Sequence, residues 1–102
     1  MYDFTDNDVL YIYEHLKNKY DLTLTTTFEL DTGFTINCPI IVGKAHSQII
    51  YLYAHGNMFI LDVMDEQQTR GTHWHPYTIE GAIDDIAEFM EGKSDYELSR
   101  FN

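Results

Sequence analysis

Two histidines one residue apart, His73 and His75 in the run Thr69-Arg70-Gly71-Thr72-His73-Trp74-His75-Pro76, are the side chains best suited to chemistry. In extended backbone both point to one side and Trp74 to the other, which is how a strand offers two ligands to a metal. Catalytic zinc takes three protein ligands and a water, so the pair needs a third partner. Asp62, Asp65, Glu66 and His55 lie near in sequence, and His73, His75 and Asp62 form the candidate set, with zinc as the ion it would hold. The competing reading makes the run a hinge between a strand ending at Met64 and a helix beginning at Pro76. Its histidines then pack or bond within a loop, and Trp74 anchors that loop to the core.

A second group of chemistry-bearing side chains is acidic. Glu80, Asp84, Glu88 and Glu91 fall at i, i+4, i+8 and i+11, with Asp85 beside them and no base between. Like charges four apart weaken a helix by about 0.2–0.5 kcal/mol per pair, so this face is either plain solvated surface or is shaped to meet a basic partner. Asp31-Thr32-Gly33 matches the tripeptide of aspartic proteases. Phe34 stands where those enzymes place a small residue, and the chain opens and closes with helices, so the tripeptide reads as a hairpin turn. Cys38 lies in the apolar alternation Phe34, Ile36, Cys38, Ile40 and reads as a small hydrophobe. No glycine-rich phosphate loop, nucleophile elbow or Cys–His pair is present in the sequence, so the reading leans away from an enzyme.

Charge bounds the partners. Seventeen acids against six scattered bases give a formal net charge of −11. With no basic stripe to displace counterions, nucleic acid and anionic membranes are excluded as partners. The start of the chain lacks a basic and an apolar region of the kind that directs secretion. No apolar run approaches the roughly 20 residues of a membrane helix, and a cytoplasmic, bacterial-type protein is expected.

These residues need a scaffold, and 102 of them at 44% hydrophobic suffice for a single α+β domain spanning 1–102. Val9, Ile12, Tyr13, Leu16 and Tyr20 recur at helical spacing after a capping stretch, predicting a helix over 6–19. Alternation predicts a strand from Leu22 to Leu30, a second strand runs from Phe34 to Val42, the short, almost unbroken apolar run Gln48 to Ala54 makes a third, and Met58 to Met64 after the turn is the fourth, with Gly43–Ser47 as a loop. Gly56-Asn57 is a two-residue hairpin turn, and it fixes the register Ala54–Phe59, Leu52–Leu61, Ile50–Val63. Ile79, Ala82, Ile83, Ile86 and Met90 predict a second helix beginning at Pro76 and ending before Gly92. The tail from Ser94, with Tyr96, Leu98 and Phe101, either adds a helical turn or lies along the sheet.

The expected architecture is a two-layer sandwich, helix, four-stranded antiparallel meander, helix (αββββα), with both helices on one face. The other face then carries the threonines of strand one in one region and Ile41, Ile49, Tyr51, Tyr53, Met58 and Ile60 in another, too apolar for plain solvent. The function expected is a non-catalytic interaction module that binds a basic protein partner, similar to inhibitors and immunity proteins in size and charge alone. Its contact residues would be Glu80, Asp84, Asp85, Glu88 and Glu91 or the sheet residues Ile49, Tyr51, Tyr53 and Ile60. Two alternatives stand beside it: a metal-binding domain or metal-dependent hydrolase using the His-Trp-His segment, and a homodimer associating through strands three and four.

Overall fold

The structure, a computed structural model, describes residues 3–29, 33, 35–93 and 98–100. In chain order the elements are α1 (Asp6–Leu16), β1 (Leu22–Glu29), β2 (Thr35–Ala45), β3 (Gln48–His55), β4 (Met58–Asp65), β5 (Arg70–Trp74), α2 (Ile79–Met90) and β6 (Ser99–Arg100). The strands form one antiparallel sheet in the order β1-β2-β3-β4-β5-β6, with both helices packed on one side. The α+β class and the one-sided helices agree with the sequence. The meander is longer than expected, because the segment after β4 and two residues of the tail add strands.

α1 forms because Val9, Ile12 and Leu16 fall on one face and are buried, while Asp8 accepts from the Thr5 N–H at 2.8 Å and holds the first turn. It ends at Leu16, earlier than the apolar spacing suggests. Tyr20 lies beyond the helix but still packs against the core. Ahead of α1, Phe4 stacks on Phe59 of β4 with ring centroids 4.0 Å apart, which ties the chain start to the sheet.

The β3–β4 pairing has the predicted register: Ala54 faces Phe59, Leu52 faces Leu61 and Ile50 faces Val63. Gly56 and Asn57 both have positive φ, 60° and 64°, the backbone of a type I′ turn. The expected loop 43–47 is instead a two-residue reversal at His46-Ser47, φ 55° and 64°, so Gly43, Lys44 and Ala45 extend β2. Sequence hid this turn because neither residue is a glycine or asparagine, the usual occupants of left-handed positions. Gly43 lies where β2 meets α2: a Cβ there would stand 2.9 Å from Met90 Sδ and 2.9 Å from Leu22 Cδ2.

α2 starts later than expected. Pro76 is buried ahead of it, and Thr78 is the N-cap, its Oγ1 accepting from the Gly81 N–H at 2.8 Å. Gly92, with φ 74°, follows the last turn as predicted. Parts of the remaining expectations, at Leu30, Asp31, Thr32, Phe34, Tyr96 and Phe101, lie outside the described residues.

The main core lies between helices and sheet: Val9, Ile12 and Leu16 of α1 and Ala82, Ile86 and Phe89 of α2 pack on Leu22, Ile41, Ile50, Leu52, Phe59, Leu61 and Val63. A second cluster, Ile40, Ile49, Tyr51 and Tyr53, occupies the far side, joined by Cys38, Val42, Ile60 and Met64. Ile40 is fully buried there although no helix covers it. Its Cα partner is Thr25, at the register shift between Thr25 and Thr27, and a bulge of that kind bends a strand and increases its twist.

Candidate functional site

Strand pairing alone assembles the far face. Because facing residues share a side, the pairs Tyr51–Asp62 and Asp62–His73 place three chemically active side chains in one row across β3, β4 and β5. The run predicted as a hinge is therefore a strand, and extended backbone sends Trp74 to the opposite side. There it packs against the main core, and its indole Nε1–H donates to Asp85 of α2 at 3.1 Å. Trp74 is an anchor, as expected, but of a strand rather than a loop.

Asp62 is the most constrained group in the row. It is half-buried, and the Tyr53 hydroxyl, diagonal to it across the β3–β4 pair, donates to Oδ2 at 3.2 Å. Burial pushes its carboxyl above the ordinary carboxylate range, while the Tyr53 bond and the neighbouring His73 and His75 pull the other way. Tyr53 and Tyr51 are both raised, first by burial and then by the negative charge of Asp62. Burial and the neighbouring carboxyl together disfavour ionising either phenol.

His73 is exposed beside Asp62, and His75 is half-buried with its Nδ1 3.0 Å from the carbonyl oxygen of Phe59. The two rings stand 5.9 Å apart, edge to face. The candidate set His73, His75 and Asp62 is thus gathered on one side, but the carboxylate leans toward β3 and Tyr53. Among the described residues, no three His, Cys, Asp or Glu side chains are placed to hold a metal ion together. Of the other ligands considered, Asp65 is committed to its turn: it accepts from Thr69 N at 2.7 Å, Thr69 Oγ1 at 2.6 Å and Arg70 N at 3.0 Å. Those bonds hold its carboxyl below the usual range. The Cys38 thiol is half-buried, and burial, then Asp6, pushes its pKa up, as suits a packing residue.

The sheet residues expected to form an exposed patch are largely inside, and Ile41, expected among them, lies in the main core under the helices because it pairs with Leu52. Ile49, Tyr51 and Tyr53 are only 7%, 6% and 8% exposed, and Ile60 is half-buried. β3 and β4 are also flanked by β2 and β5, so they have no free edge with which to pair a second copy. The acids of α2 divide differently. Asp85 serves Trp74, and Glu91, just past the helix, accepts from the Tyr20 hydroxyl and pairs with Lys93 at 2.9 Å. Glu80, Asp84 and Glu88 are exposed, and neither ion pair formed among the described residues, Lys17–Glu14 or Lys93–Glu91, involves them.

Two partnerships were missed from sequence. Tyr53–Asp62 follows from the hairpin register, since diagonal neighbours lie within reach of an aromatic side chain. Trp74–Asp85 left no local signal, because its partners sit on elements whose packing is tertiary. No helix of the described residues is long and apolar enough to cross a membrane. Compared with protein-family models, with curated proteins and with solved structures, the chain matches none.

Proposed function

We propose that the chain is a non-catalytic interaction module of the inhibitor or immunity type, which engages a basic protein through α2. The observation that carries this reading is the partition of the helix acids. Asp85 and Glu91 are engaged within the fold, whereas Glu80, Asp84 and Glu88 repeat at i, i+4 and i+8 on exposed surface and enter no ion pair among the described residues, Lys93 acting on Glu88 only from beyond salt-bridge range. Three like charges spaced this way weaken the helix that carries them, so they give up stability that alternating lysines would supply. A net charge of −11 adds long-range attraction for cationic surfaces and speeds encounter with them.

The test is affinity capture with the wild-type chain and with the triple variant Glu80→Lys, Asp84→Lys, Glu88→Lys, at low and high salt. A basic partner held by the wild type, released by salt and lost in a folded triple variant supports the proposal. Association that is indifferent both to salt and to the triple substitution overturns it.

A further inference from the structure

His73 and His75 carry a combination of features that the acidic helix does not account for. Two imidazoles that ligate one ion at about 2.0–2.1 Å bring their ring centres to about 5–6 Å. These rings already stand 5.9 Å apart with planes at 71°. The proton on His75 is also placed. Its Nδ1 meets the Phe59 carbonyl oxygen at 3.0 Å, a contact that is a hydrogen bond only if Nδ1 donates, so in the neutral ring the lone pair sits on Nε2. A carbonyl that orients a ring in this way is the usual support of a metal-binding imidazole. Opposite His73 in the β4–β5 register stands Asp62, half-buried, with its Oδ2 accepting from the Tyr53 hydroxyl at 3.2 Å on the adjoining strand.

We propose that His73 and His75 form a two-imidazole site for a borderline divalent transition-metal ion, of the class of Cu2+, Ni2+ and Zn2+. Asp62 supplies compensating charge from the adjacent strand, and water completes the coordination shell. Nitrogen ligands of this kind select against Mg2+ and Ca2+, which take oxygen donors. With only two protein ligands gathered, the ion is exchangeable rather than structural, and the fold does not depend on it. His73 is exposed and His75 half-buried, so the ion reaches the site from solvent.

Trp74, the one tryptophan of the chain, lies between the two ligands in sequence and serves as a reporter. The full chain, free of any histidine tag, is titrated with CuCl2 and NiCl2 while Trp74 fluorescence is followed, and with ZnCl2 and MgCl2 by calorimetry. The expected result is saturable one-to-one binding, tightest for Cu2+ and absent for Mg2+. His73→Ala and His75→Ala should each weaken it tenfold or more, and Asp62→Asn by about tenfold, the low end for a supporting group. His46→Ala and His55→Ala leave it unchanged. His75→Gln keeps a side-chain donor near the Phe59 carbonyl, so its loss of binding in a folded protein separates lost ligation from lost structure. Binding that survives in the His73→Ala, His75→Ala double variant, or a non-saturating response showing an adventitious ion only, overturns the proposal.

Discussion

The indole N–H of Trp74 donates to the carboxylate of Asp85 at 3.1 Å, joining β5 to the helix that follows it after a link of four residues. The bond fixes α2 against the end of β5, where the chain leaves the sheet. Asp85→Ala leaves a half-buried indole donor without this acceptor and should cost about 1–2 kcal/mol. Asp85→Asn keeps an acceptor and should cost less. Chemical denaturation gives the stabilities, and the Trp74 emission maximum should shift in the alanine variant alone.

Gly92 closes α2 in a left-handed conformation, φ 74°, and a Cβ there would lie 2.7 Å from His46 Nε2. Gly92→Ala therefore meets two penalties, the backbone cost of about 1–2 kcal/mol and a clash with a ring. In a His46→Ala background the clash disappears and the backbone cost stays. A double-mutant cycle by denaturation should show the Gly92→Ala penalty reduced but not abolished.

The β4–β5 turn gives the chain an acid-sensitive element. Asp65 is held below the ordinary carboxylate range first by the Thr69 hydroxyl and also by the Thr69 and Arg70 amides. A depressed folded-state value means that its contribution is present above the unfolded-state value and is lost as pH falls through the folded one. Asp65→Ala should be less stable than wild type at neutral pH. The gap between their denaturation midpoints should close as pH drops below the carboxylate range; a gap constant with pH would contradict the assignment.

Substituting the α2 acids should move stability and binding in opposite directions. Asp84→Lys converts two like-charge neighbours, Glu80 and Glu88, into opposite-charge ones at i±4, worth about 0.2–0.5 kcal/mol per pair. The variant should melt slightly higher than wild type while its affinity for a basic partner falls. A loss of both would mean that Asp84 supports the fold.

How much of this was legible in the sequence depended on whether the signal was local. The β3–β4 register was readable to the residue, because a two-residue turn with Gly56-Asn57 leaves one pairing that buries Leu52, Leu61, Ile50 and Val63 together. Helix α2 was readable in its periodicity and in Gly92, while its start was misplaced, since Pro76 and Thr78 both carry start signals and only packing chooses between them. β5 was missed because Arg70-Gly71-Thr72-His73-Trp74 has polar residues on a face that turned out to be apolar only in part. For the candidate site, the shared side of His73 and His75 was readable from alternation. The hairpin register also put Asp62 within reach of Tyr53, but it did not fix which neighbour the carboxylate turns to.

β3 and β4 are apolar on both sides, Leu52 facing one core while Tyr53 faces the other. Such strands are poorly protected against sliding, since a slip by one residue exchanges one apolar side for another at little cost. Asp62 removes that freedom. Shifted by one position, its carboxylate would turn into the main core opposite Ile50 or Leu52 of β3, where nothing compensates a charge. The single acid in the middle of β4 thus acts as a locking pin for the hairpin, excluding a misaligned sheet that hydrophobicity alone would tolerate.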